Sequence, residues 1–135
     1  MNLQKLKEAA ELARKTKHVF IATVSSERIP HIAACRTLSL DGKNDVVLTE
    51  WFCPETVTNL SGPNHRMSIV IWDRKTDKGY QLIGELKREE DLAYLDGYGP
   101  GLEEKNPVPQ VERKLTVRVG KIIDFRLAPH TDREE

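Results

Sequence analysis

At 135 residues the chain is of single-domain length, enough to bury roughly two-thirds of the surface its unfolded form exposes. Its 21 Lys and Arg balance 21 Asp and Glu, which argues against the broad cationic field of nucleic-acid binders, and apolar runs such as Val19 to Val24 are too short for a membrane-spanning helix. The charged segment Lys5 to Lys17 lacks a signal peptide's apolar centre, and two cysteines, Cys35 and Cys53, fit a reducing compartment, so a cytoplasmic protein with no nucleic-acid or membrane partner is expected.

The first element is a helix. Asn2 is a suitable N-cap, and Leu3, Leu6, Ala9, Ala10 and Ala13 recur at helical spacing among charged residues, so the helix should lie on a sheet or plug a barrel end. From His18 the pattern turns to strands: His18 to Val24, Pro30 to Leu40, Asp45 to Thr49, Arg66 to Trp72, Gly79 to Lys87 and Glu112 to Leu127, six in all. Turn chemistry at Ser25-Ser26-Glu27-Arg28, at Asp41-Gly42-Lys43-Asn44 and over Asp73 to Lys78 favours antiparallel neighbours. Two short helices interrupt them, Pro54 to Ser61 stopped by Gly62-Pro63 and Arg88 to Leu95 closed by Asp96-Gly97. Gly97 to Pro109 reads as a surface loop, the last strand changes phase near Gly120, and Thr131 to Glu135 reads as a frayed tail.

Arg36 is the first candidate for function. Strand alternation places it on one side with Ile32, Ala34, Leu38 and Leu40, where a guanidinium needs an anionic partner. Two partners fit: a carboxylate such as Glu50 or Glu55, or the phosphate of a ligand, which the planar guanidinium fork suits. The start of the second helix favours a phosphate, because a helix N-terminus offers unpaired N–H groups and Thr56 and Thr58 add hydroxyls; alternatively Pro54-Glu55-Thr56 is simply a well-formed helix start. Four histidines, His18, His31, His65 and His130, show no paired-ligand spacing, so no metal site is expected. Cys35, opposite Arg36, reads as a buried small hydrophobe, whereas Cys53 before the helix has the setting for a lowered thiol pKa without a basic neighbour in sequence.

Pro30-His31, the following strand, the hairpin, Thr56-x-x-Asn59-Leu60 and Pro63-Asn64 together resemble, in order and spacing over roughly residues 18 to 90, the FMN-binding split barrels that include pyridoxamine phosphate oxidase. Arg36-Thr37-Leu38 resembles the Arg-Met-Val segment lining the cofactor in that family, and Tyr80-Gln81-Leu82-Ile83-Gly84-Glu85-Leu86 resembles its later strand. The resemblance implies a fold between all-β and α+β, a six-stranded antiparallel split β-barrel of Greek-key topology with peripheral helices, filling residues 1–130 as one domain. It implies FMN held by Arg36, Thr37, Leu38, Thr49, Glu50, Trp51, Thr56, Asn59 and Gln81, with Trp51 and Tyr98 as candidates for stacking on the flavin. It further implies a homodimer exchanging electrons with a small-molecule substrate or a redox partner. Two features depart from the family. Glu55 stands where a Lys or Arg is usual at the helix start, and the C-terminal segment that grips the oxidase substrate is missing, which speaks against a vitamin-synthesising oxidase. A cofactor-free ligand-sensing barrel, or one holding haem or a deazaflavin with His31 or His65 as axial candidates, stays open beside the flavin reading.

Overall fold

The computed structural model of the chain describes residues 1–51, 54–95 and 110–134. The first helix, α1 (Leu3–Thr16), starts where expected: the Asn2 side-chain oxygen accepts from the backbone N–H groups of Gln4 (3.0 Å) and Lys5 (3.2 Å). It ends at Lys17, whose left-handed φ of 63° lets its N–H reach the Ala13 carbonyl at 2.9 Å. Leu6, Ala9, Leu12 and Ala13 form its buried face, while Leu3 is exposed.

Seven strands follow among the described residues: β1 (Val19–Val24), β2 (Pro30–Cys35), β3 (Thr37–Asp41), β4 (Asp45–Trp51), β5 (Arg66–Asp73), β6 (Lys78–Leu95) and β7 (Gln110–Asp124). A second helix, α2 (Pro54–Ser61), lies between β4 and β5. All pairings are antiparallel, in the order β2-β1-β5-β6-β7-β4-β3. This order demands curvature. β2 and β3 occupy opposite ends of the sheet, yet only Arg36 separates them in sequence, so the sheet must curl until its two ends meet.

The barrel interior follows the period-two alternation of each strand. Val19 and Ile21, Val46 and Leu48, Met67, Ile69 and Ile71, Tyr80 and Leu82, and Leu115, Val117 and Val119 join one apolar core with the buried faces of α1 and α2. The phase change near Gly120 is present: Ile83 pairs with Lys121 but Gly84 pairs with Val119, and the skipped residue turns Ile122 inward after Val119. The bulge is tight, since a Cβ on Gly84 would lie 2.7 Å from the Arg118 carbonyl oxygen and 2.7 Å from Val117 Cγ1.

Two expected elements differ. The strand from Pro30 to Leu40 breaks at Arg36 because its halves serve opposite ends of the sheet, which makes seven strands out of the expected six. The helix expected over Arg88 to Leu95 is a continuation of β6, paired with Thr116 back to Gln110. Cross-strand charge explains this: Arg113 Nε sits 3.0 Å from Glu89 and 3.1 Å from Asp91, so a run with good helix propensity finds better partners in the sheet.

Beyond β7 the chain is fastened to the β5–β6 turn. The Asp77 carboxylate accepts from the N–H groups of Leu127 (2.7 Å) and Ala128 (2.8 Å) and from the Trp72 indole (3.0 Å), and these bonds hold its pKa below the usual carboxylate value. Glu134 also accepts from the Ile122 N–H at 3.1 Å. A depressed folded pKa means that Asp77 adds stability above about pH 4, lost as pH falls through the lowered folded value. The acid side of the stability profile should therefore flatten in Asp77→Asn, read by thermal denaturation between pH 2 and 7; a parallel profile would remove the carboxylate from this role.

Candidate functional site

The break between β2 and β3 gathers five of the nine residues expected at a cofactor site. Thr37 pairs with Thr49 across β3 and β4, and its hydroxyl donates to the Thr49 carbonyl at 3.1 Å. The Arg36 backbone N–H donates to Glu50 Oε2 at 3.0 Å, and Arg36 Nε lies 3.4 Å from the same oxygen. Leu38 is buried against the core opposite Leu48. Cys35 closes the inner side of the break: its Sγ lies 3.4 Å from the Thr37 carbonyl and 3.8 Å from that of Thr49, and burial pushes its thiol up to about 11. It is the inert small hydrophobe expected.

Arg36 departs from expectation in its surroundings. The strand break shifts the alternation, so Ile32 and Ala34 face outward, Leu38 faces inward, and the Arg36 side chain is 80% exposed. It is not stranded on an apolar face. Glu50, whose side chain is 13% exposed, is its carboxylate partner, one of the two alternatives the sequence left open. Arg36, Thr37 and Leu38 line a hollow of about 320 Å³ whose far wall is the end of α1, with Arg14 and Lys17. Three cationic side chains thus surround it. Arg14 is also ion-paired to Glu11 one helical turn back, which raises the arginine's pKa and lowers that of the glutamate. Arg14 and Lys17 carry no site signal in the sequence, where they read only as charges at the end of the first helix.

The remaining candidates lie elsewhere. Thr56 and Asn59 sit one turn apart on the buried face of α2, and the Asn59 amide donates to the buried Thr23 hydroxyl of β1 at 3.0 Å. Asn59 thereby anchors the helix to the barrel. Glu55 is exposed and lines a different and larger cavity, beside the β1–β2 turn. Gln81 is on the outer sheet face, where its amide donates to Ser68 at 2.7 Å. Trp51 ends β4 opposite Glu112; its side chain, and Cys53, Tyr98 and the expected loop over 97–109, lie outside the described residues. Among the described residues no group of three His, Cys, Asp or Glu could hold a metal ion, and no helix is long and apolar enough to cross a membrane.

An antiparallel sheet of this order, closed at a one-residue break and plugged by a helix, is a split barrel, the fold of the pyridoxamine phosphate oxidase-like flavoproteins. An FMN-binding protein from Syntrophomonas wolfei superposes with a TM-score of 0.66 at 17% identity, covering 93% of this chain and 89% of its own. A Clostridium acetobutylicum protein related to general stress protein 26, of the pyridoxinephosphate oxidase family, gives 0.65 at 20% identity, covering 99% and 96%. The haem storage protein HutZ of Vibrio cholerae gives 0.52 at 12% identity, covering 93% and 96%. The likeness extends over essentially the whole chain and establishes the fold, which serves proteins of more than one ligand. No protein-family model matches the sequence, and no curated protein matches it.

Proposed function

We propose that the protein is a cytoplasmic FMN-binding oxidoreductase or electron carrier that works as a homodimer. The observation that carries this reading is the cationic hollow at the strand break: Arg36, Thr37 and Leu38 face Arg14 and Lys17 across about 320 Å³. Lys17 adds a cation to two arginines already paired with Glu50 and Glu11, and a phosphate suits this lining because Arg36 supplies the fork that a phosphate monoester accepts. Thr37 and Thr49 would present backbone and hydroxyl groups along the flavin. When bound, FMN supplies the electron-transfer chemistry; the chain's own contribution is to position it, tune its polar edge and limit water. The free buried Cys35 accords with a reducing compartment.

FMN should bind to the purified protein with a shift of flavin absorption, and Arg36→Ala should weaken it about tenfold, equivalent to about 1.4 kcal/mol, while changing riboflavin affinity little. Equal losses for the two ligands would reduce Arg36 to a structural residue.

The dimer rests on the outer face of the sheet. Ile32 (68% exposed), Phe20 (41%) and exposed Pro30 and Ala34 on β2 and β1 continue into half-buried Val70, Ile83 and Ile123 on β5, β6 and β7. A second copy related by a two-fold axis would cover this apolar face with the same face. Light scattering should report a dimer, and Ile32→Lys should convert it to monomer at tens of micromolar; a wild-type monomer would dismiss the interface.

A barrel without flavin is the second reading, favoured by Glu50, which already holds both the amide and the guanidinium of Arg36. The visible spectrum of protein incubated in turn with FMN, haem and a deazaflavin separates the readings.

A further inference from the structure

A cavity of about 630 Å³ opens on the outer face of the sheet, over the bulge where β6 meets β7, and its volume lies within the usual range for small-molecule pockets. Strand alternation explains its floor. Because Leu82 and Ile122 point into the core, their neighbours Ile83 and Ile123 turn outward, and both line the cavity as half-buried apolar surface. The skipped residue of the bulge, Gly120, also lines it and adds no bulk: a Cβ there would meet nothing nearer than the Ile83 carbonyl oxygen at 3.9 Å.

The rim is cationic. Arg66, Glu85 and Arg118 stand in one row across β5, β6 and β7, and Lys121 pairs with Ile83 in the next row. Arg66 Nε lies 3.4 Å from Glu85, and Arg118 Nε lies 3.4 Å from Asp45, whose other oxygen is 2.8 Å from Lys87. With these partners included, the group holds four cations against two carboxylates. Lys121 forms no ion pair among the described residues. Each of the two arginines engages only its Nε, so their terminal amino groups remain open to an acceptor. Unfilled donors with a surplus of positive charge thus border an apolar floor.

We propose that this cavity binds a small organic carboxylate with a flat apolar body, its carboxylate held by Lys121 and the Arg118 fork and its body resting on Ile83 and Ile123. An inorganic anion would leave the isoleucines in water, and an organic ammonium would meet the surplus positive charge. The site lies outside the flavin reading, since it shares no residue with the Arg36 hollow. It is complete within one chain, although Ile83 and Ile123 also belong to the face proposed to meet a second copy.

The test is an NMR titration of the intact protein with 2-naphthoate beside two controls: acetate, which has the charge without the body, and 2-naphthylmethylammonium, which has the body with the opposite charge. The naphthoate should bind saturably, with shifts centred on Ile83, Gly84, Gly120 and Ile123, and neither control should. Lys121→Gln and Arg118→Gln should each weaken it about 5- to 10-fold, and raised salt should weaken it further. Amide spectra of both variants check that the fold is intact. Arg36→Ala should bind the naphthoate as the wild type does, which separates this site from the phosphate hollow, and so should Ile32→Lys, which removes the dimer contact. Binding confined to Ile32→Lys would mean that a second copy fills the cavity. That result, equal binding of either control, absence of naphthoate binding, shifts mapping to the Arg36 hollow, or unchanged affinity in both charge variants would each overturn the proposal.

Discussion

Leu48→Ala lowers the stability of the fold by about 2–5 kcal/mol, the range for truncating a fully buried leucine. Leu48 is inaccessible to solvent and lies between Leu38 of β3 and Leu115 of β7, two inward-facing partners on strands that flank β4. Neither neighbour can close the gap alone, because each is held by its own ladder, so the cost falls toward the upper part of the range. Urea denaturation at neutral pH measures it through the shift in midpoint at unchanged slope. A loss below about 1 kcal/mol would mean that β3 collapses onto β7 and that the break at Arg36 is pliable.

Gly84→Val carries the second large effect, expected near 3 kcal/mol, at the top of the range for overpacking. A Cβ at residue 84 meets the Arg118 carbonyl and a Val117 methyl, both at 2.7 Å, and one of these is backbone, which cannot rotate away. The bulge at Gly120 would have to open, and with it the inward placement of Ile122. Gly84→Ala should show a smaller loss of the same sign. Full tolerance of valine would require a different register between β6 and β7, visible as altered amide exchange along Lys121 to Asp124.

Much of this architecture is legible in the chain because its signals are local. The Asn2 cap, the Asp41-Gly42 turn with Gly42 at a φ of 76°, and the phase change near Gly120 each depend on a few adjacent residues. The strand break at Arg36 is not local: nothing between Pro30 and Leu40 interrupts the alternation, and the break exists because β2 and β3 belong to opposite ends of the sheet. Arg88 to Leu95 misleads in the same way, since its helix formers are overruled by Arg113 from a strand that begins beyond a long intervening segment. At the candidate site Arg36 and Glu50 are legible as a pair of opposite charges. The burial of Thr56 and Asn59 was available in their i, i+3 spacing beside Leu60, a core-facing stripe that the hydroxyl and amide chemistry obscured.

The closure at Arg36 also bears on how the chain reaches its fold. Three hairpins, β1–β2, β3–β4 and β5–β6, pair segments next to each other in sequence and can form early. The contacts that make a barrel of them are remote: β1 waits for β5, and β4 for β7, some seventy residues downstream in the pairing of Asp45 with Arg118. Until β7 arrives, β4 and β6 each present an unpaired edge, the condition under which chains associate wrongly. Refolding should therefore be slow, in the millisecond-to-second regime of non-local β topologies, with aggregation losses that rise with protein concentration.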